Sequence, residues 1–388
     1  MDDAPGVDDA GVIAWILASC EPAARWIAHV HLLDGAEHER AAAAERALLL
    51  ADPATEALID RLPDWEAGAA FSGHQSPAFA PNLLGLLADM GVVGGDDPRI
   101  ERLLDDLLRH QLPDGRFATF ATSRVTPEPA WASLLCDHHA ITEILLRFGR
   151  GEDPRVVRAL QTMAEDLSTT DQGRAWPCRR DPVSRFRGPG RVHDACPQVT
   201  LEALRAFSHL PAARRPAELD DVARVSLRIW RRRADEQPYM FGHGCRFKIV
   251  KWPTTWYDLH GVLDTLGRYP ALWRGPGADP DDRRALAELV ACLIAYNVAA
   301  DGTVTPQSCY RGFEDYSFGQ KKRPSPFATA RLLQVLRRLE DLAAEAADVD
   351  VTALASSKGG TGTARPPRIR PPATGRPARR PPVRGGGR

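Results

Sequence analysis

PNLLGLLADMGVVGGDDPRIERLLDDLLRHQLPDGRF, from Pro81 to Phe117, contains the plan of the whole chain. Apolar residues at three- and four-residue steps make a first helix, Asp-Pro-Arg makes a turn, a second periodic run follows, and Asp-Gly-x-aromatic closes the unit. The same order returns in CDHHAITEILLRFGRGEDPRVVRALQTMAEDLSTTDQGRAW, from Cys136 to Trp176, and with a longer insert from Tyr257 to Val304. A repeat of roughly 60 residues implies helix pairs that bury a shared core only when stacked on neighbours. Within the second unit Ile141, Ile144, Leu145 and Phe148 lie on one face, and Val156, Val157, Leu160 and Met163 continue it after the turn. Asp97, Asp153 and Asp282 stand where they cap or charge the start of an outer helix, with Pro98 and Pro154 suited to its first turn. Gly91 and Gly149 end the inner helices as left-handed C-caps.

Further pairs extend the pattern. VIAWILASCEPAARWIAHVHLL reads as two helices broken near Glu21-Pro22. HDACPQVTLEALRAFSHLP supplies another inner helix, followed by an outer one through Val222–Trp230, and a last inner helix starts near Pro326. No strand-period run is strong enough for a sheet. The expectation is therefore an all-α protein, an α/α toroid of about five to six stacked hairpins over residues 11–347. Residues 1–10 are expected to be flexible.

Composition narrows the classes. The 388 residues carry a net charge of −1, but Lys358 to Arg388 holds one Lys and eight Arg without an acid, leaving the remainder near −10. Residues 348–388, rich in Pro, Gly and Arg, are expected to be disordered because they bury no core. Such a tail is either a solubilising extension or a weak contact for anionic lipid or nucleic acid. No run approaches the roughly 18 apolar residues that span a bilayer, and no secretory signal is visible. The seven cysteines lack a close-set framework. Reduced thiols in a cytoplasmic protein, at most peripheral to a membrane, are the expectation.

The turns carry a resemblance. Gln-Leu-Pro-Asp-Gly-Arg-Phe at Gln111–Phe117 resembles the Q-x-x-D-G-x-W turn of squalene–hopene and related terpenoid cyclases. Thr170–Trp176 and Ala299–Val304 look like weaker copies. Protein prenyltransferase β-subunits share that toroid, and the chain looks most like bacterial squalene-cyclase-like repeat proteins, over about Val12 to Ala347. The resemblance implies the toroid fold and a small isoprenoid-like apolar substrate. It departs from the cyclase pattern in its acid. The Asp-Pro-Asp-Asp at Asp279–Asp282 falls in the turn before an outer helix, where Asp caps. No D-D-x-x-D metal–diphosphate motif is present.

Laying the inner helices in register, with Glu143, Glu202 and Asp264 as markers, puts Asp137, Cys196 and Asp258 at one level, with Phe79 and Phe327 in the flanking units. His138, His139, His193 and His260 crowd the same rim. Two chemistries suit it. Asp137, Cys196 and His260 form a zinc set resembling the Asp/Cys/His centre of protein prenyltransferases. Alternatively, Asp137 and Asp258 form an acid–base pair whose pKa values are parted by burial. Capping of positive helix ends explains the same acids without function. Phe79, Trp131, Trp252, Trp256, Tyr257 and Phe327 are candidate cavity walls, through aromatic faces that hold cations, against ordinary packing at helix ends. Lys248 and Lys251 are candidate anion holders beside Cys245 and Arg246, with Lys321, Lys322 and Arg323 a second basic knot. Cys178 and Cys196, with His193 between, offer a structural zinc site. Three readings stay open: an enzyme acting on an isoprenoid, a noncatalytic ligand-binding or scaffold toroid, and an α/α-barrel carbohydrate enzyme with two facing carboxylates.

Overall fold

The computed structural model describes residues 9–65, 73, 76–121, 128, 130–188, 190–235, 247–255 and 257–354. The expectations for residues 1–8, Cys245, Arg246, Trp256 and residues 355–388 lie outside the described residues, while Asp9 and Ala10 already belong to a helix. The protein is all-α. Its helices are α1 (Asp9–Leu17), α2 (Pro22–His31), α3 (Ala36–Leu50), α4 (Pro53–Ile59), α5 (Ala80–Met90), α6 (Pro98–Arg109) and α7 (Leu135–Arg147). Then come α8 (Pro154–Glu165), α9 (Pro197–Ser208), α10 (Leu219–Arg231), α11 (Leu259–Leu266), α12 (Pro280–Asn297), α13 (Pro326–Arg338) and α14 (Ala343–Ala347). The extended segments among the described residues are two or three residues long and pair only two at a time.

The inner helices contact one another in cyclic order: α2 with α5, α5 with α7, α7 with α9, α9 with α11, α11 with α13, and α13 with α2. Outer helices lean on this ring, α3 on α2, α8 on α7, α10 on α9 and α12 on α11. The two classes differ in pattern. Outer α6 is amphipathic, burying Ile100, Leu103, Leu104, Leu107 and Leu108 on one stripe. Inner α7 is buried on every side from Leu135 to Leu145, its polar residues Asp137, His138, His139, Thr142 and Glu143 included. A helix enclosed all round places its polar side chains against other helices, so they must find partners there.

The local signals act as expected at most ends. Asp97 and Asp153 accept hydrogen bonds from the N–H groups of Arg99 (2.7 Å) and Arg155 (2.9 Å). Pro98 and Pro154 open their helices. Gly91 and Gly149 have φ of 111° and 80°. In the third repeat the cap is Asp279, which accepts from the N–H of Asp281 at 2.8 Å, and not Asp282. Asp282 is buried one turn later, between Arg224 and Arg231 at 3.4 Å each. The Asp-Pro-Asp-Asp stretch is thus a helix start. The break at Glu21-Pro22 stands between α1 and α2, while α3, mostly alanine and charge, lacks the apolar stripe that reveals a helix in sequence.

The Gln111–Phe117 turn shows why its residues recur. Gln111 Nε2 donates to the Gly115 carbonyl at 2.8 Å and to the Arg155 carbonyl at 2.7 Å, clamping the turn to the next outer helix. Gly115 has φ of 92°, and a Cβ there would stand 2.6 Å from Thr162 Oγ1. Phe117 is fully buried. In the second copy Trp176 is likewise buried and its indole N–H donates to the Met163 carbonyl at 2.7 Å.

Candidate functional site

The register markers line a cavity. Gly85 on α5, Glu143 on α7, Glu202 on α9 and Asp264 on α11 face one space of ≈ 50 Å³ between the inner helices. Asp89, Arg147 and Arg205 stand about a turn further along the same helices, Arg268 lies just past the end of α11, and Arg331 enters from α13. Such a volume admits a few waters or one compact polyatomic ion, whereas a prenyl chain needs a pocket of several hundred Å³.

The lining is ionic. Asp89 joins two helices, accepting from Arg147 at 2.7 Å and Arg331 at 2.9 Å. Glu143 lies 3.7 Å from Arg205, 4.0 Å from Arg147 and 3.5 Å from His209. Asp264 pairs with Arg268 at 3.0 Å and Arg338 at 2.8 Å. Burial opposes ionisation of these three acids, but the guanidinium groups outweigh it and hold all three below the usual carboxylate range. Glu202 differs. Burial pushes its carboxyl well above that range, against the opposing pull of Arg205 and the amide of Gln198. Burial thus biases Glu202, alone of the four, toward its neutral form.

The sum is cationic. Four arginines (Arg147, Arg205, Arg268 and Arg331) and four acids (Asp89, Glu143, Glu202 and Asp264) line the space, a fifth arginine, Arg338, reaches Asp264, and burial lowers His260 to about 4. Counted together, five guanidinium groups meet four carboxyl groups, of which burial biases Glu202 toward the neutral form. Several polar atoms also lack a hydrogen-bond partner among the described residues: Arg331 Nε, Glu202 Oε2, His260 Nε2 and Gln198 Oε1. Arg331 and Glu202 are only 6% and 3% exposed, so these orphaned groups carry a desolvation cost of about 1–3 kcal/mol each unless something meets them.

The rim residues lie six positions earlier on their helices, about 9 Å along the axis. Asp258 is the N-cap of α11, accepting from the N–H groups of Gly261 and Lys251 at 3.1 Å each. Burial still pushes its carboxyl up to about 7. Asp137 is fully buried and accepts from Thr119 Oγ1 at 3.0 Å. Cys196 is the N-cap of α9. His138 Nδ1 accepts from the Phe117 N–H at 3.2 Å, and His139 Nδ1 lies 3.0 Å from the Val199 carbonyl. Among the described residues no group of three or more His, Cys, Asp and Glu is arranged to hold a metal ion, so Asp137, Cys196 and His260 do not converge, nor do Cys178, Cys196 and His193.

The aromatic candidates pack in two groups beside the ionic cavity. Phe79 and Trp131 surround Trp65 at 6.2 and 6.5 Å between ring centres, and Trp131 stacks on His110 at 3.6 Å. Trp252 and Phe327 meet at 6.5 Å, next to His260 and Phe318. Tyr257 borders a small pocket shared with Gln198, Glu202 and Arg205. Lys248 and Lys251 sit over the rings of Tyr296 (5.1 Å) and Tyr310 (3.7 Å). Their ammonium groups thus point to separate aromatic faces. The residues that sequence reasoning missed are the inner-helix arginines, Arg331 foremost. For Arg147 and Arg268 the signal was present as charge at i, i+4 from Glu143 and Asp264, where a solvated helix face is the ordinary reading, whereas Arg331 has no acid within four residues in sequence.

No protein-family signature matches the chain, and no curated protein matches it. Solved structures do. The similarity is to a type II terpene cyclase. The apo form of that enzyme, MstE from Scytonema, is 13% identical, with a TM-score of 0.38 over 83% of this chain and 88% of that chain. A variant of it in complex with geranylgeranyl dihydroxybenzoate, its substrate, is 14% identical, with a TM-score of 0.38 over 86% and 97%. Another apo variant is 15% identical, with a TM-score of 0.37 over 83% and 87%. No helix among the described residues is long and apolar enough to cross a membrane.

Proposed function

We propose that this protein binds an isoprenoid or similar apolar molecule by an anionic head, a diphosphate or carboxylate, seated in the arginine-lined cavity. The observation that carries this reading is the cluster of arginines around a buried space, with the Arg331 Nε–H unpaired among the described residues. A planar guanidinium suits phosphate and carboxylate oxygens, and a buried one gains more from them than an exposed one. Glu202, which burial biases toward its neutral form, stands beside them. The space is too small for the apolar part of such a ligand, so the reading favours head-group recognition over cyclisation inside this cavity. None of the described tryptophans lines the cavity, which leaves a sugar without a stacking platform there.

Calorimetric titration of the full chain with inorganic diphosphate, and then with a prenyl diphosphate, tests this. Saturable binding of both, tighter for the prenyl compound, is expected. Heat from neither would end the proposal.

A second reading rests on Asp258, whose carboxyl titrates near neutrality at the rim. With Asp137 it forms the acid–base pair of an isoprenoid-transforming enzyme. Turnover of a prenyl substrate that survives both Asp137→Asn and Asp258→Asn would remove this reading.

A further inference from the structure

We propose that the anionic head seated in the arginine-lined cavity carries a hydroxyl beside its anion, held in a small side chamber by Gln198, Glu202 and Arg205. This rests on the head-group reading and narrows its ligand to hydroxylated anions, such as a hydroxyalkyl phosphonate or a hydroxy acid. The chamber has a volume of ≈ 10 Å³ and is lined by Gln198, Leu201, Glu202, Arg205, Tyr257 and Gly261. Glu202, Arg205 and Gly261 also line the ≈ 50 Å³ cavity, so the two spaces adjoin across them. A space of that size holds about one water-sized group. It therefore suits a single hydroxyl from a ligand whose anion lies next door, and neither a chain nor a ring.

The lining needs a partner that both donates and accepts. Gln198 and Glu202 stand one turn apart on α9, and the Gln198 amide donates to Glu202 Oε1. Gln198 Oε1 and Glu202 Oε2 are left without a partner among the described residues, in side chains that are buried. Turning the amide over lets a neutral Glu202 donate to the amide oxygen and still leaves one carboxyl oxygen unmatched. In both arrangements a buried acceptor is unmet, which is costly. Arg205 Nε is a buried donor with no hydrogen-bond partner among the described residues, its approach to Glu143 being 3.7 Å.

A hydroxyl answers both demands at once, giving its proton to an oxygen of the Gln198–Glu202 pair and accepting from Arg205 Nε–H. An ammonium only donates, and it would bring a further cation among the arginines. A methyl group fills the chamber but leaves the acceptor and the guanidinium N–H unmet. The chamber thus selects by the second atom of the head, whereas the arginines select by its charge.

Calorimetry of the full chain with hydroxymethylphosphonate, ethylphosphonate and aminomethylphosphonate tests this. The three probes share one anion and nearly one size, and differ in presenting O–H, CH3 or NH3+. Expected is binding of hydroxymethylphosphonate roughly ten- to a hundredfold tighter than ethylphosphonate, the penalty for leaving buried polar groups unpaired. That preference should be lost in Gln198→Leu, and its survival there would overturn the role of the pair. The wild-type comparison decides without the variant. Equal affinity for the hydroxymethyl and ethyl probes overturns this inference alone, as does silence of all three while inorganic diphosphate binds. Tighter binding of aminomethylphosphonate overturns the hydroxyl assignment. Silence of diphosphate as well removes the head-group reading and this inference together.

Discussion

Arg331 carries more of the site than any other side chain. It is enclosed by α13's neighbours, holds Asp89 at 2.9 Å, and keeps its Nε–H free of any described partner. Replacing it as Arg331→Met keeps length and apolar stem but removes the charge. The expected result is diphosphate binding weakened roughly ten- to a hundredfold, the value of a charge-assisted hydrogen bond. Unchanged affinity by calorimetry would move the anion elsewhere. Asp258 gives a prediction of opposite kind. Burial raises its folded pKa to about 7 from the ordinary 3.8, so the folded state binds a proton that the unfolded state has released. Its contribution is full below the unfolded value and is lost as pH rises through about 7. Asp258→Asn should therefore flatten stability between pH 4 and 7 and raise it relative to wild type above that window. Denaturant midpoints across pH would show it, and a parallel shift at every pH would refute it.

At the scale of elements, the turns do the joining. Gly115 combines φ of 92° with a Cβ position 2.6 Å from Thr162 Oγ1, so Gly115→Ala meets both backbone strain and a clash against α8. The outer-helix caps Asp97 and Asp153 each satisfy one orphan N–H of a first turn. Their replacement by Ala should cost about 1 kcal/mol apiece. Gly115→Ala should cost more than either, and urea unfolding that ranks it below them would show that the turn yields freely. These features were legible because caps and positive-φ glycines act within four residues of themselves. The inner arginines were not, because Arg147 three or four residues from an acid reads the same on a wet face as beside a cavity. Only the packing of α5 and α9 against α7 distinguishes the two.

The molecule as a whole stores uncharged histidines. Burial lowers His31, His139 and His260 to about 4 each, from an ordinary value of 6.5. Each is neutral in the fold and takes up its proton more readily when unfolded, so its contribution is present above 6.5 and is lost as pH falls toward 4. Each adds at most about 1.4 kcal/mol per pH unit. These three, with His138 lowered in the same sense, outnumber Asp258 and Glu202, whose raised carboxyls give the opposite slope, and stability should rise from pH 4 to 6.5. Guanidinium unfolding that is flat or falling over this range would contradict the burial of the three rings.

The sequence by itself determined that the chain is all-α, where most inner and outer helices begin and end, and which positions on successive inner helices stand level. Those properties rest on local periodicity, caps and turns, whose energies involve residues a few positions apart. Tertiary structure alone decided what stands at the centre. Glu143, Glu202 and Asp264 served as a ruler in sequence and proved to line the cavity, because their meaning depends on Arg205, Arg331 and Arg338 arriving from other helices. Charge balance, burial and protonation are sums over neighbours in space, and no single repeat contains the terms of that sum.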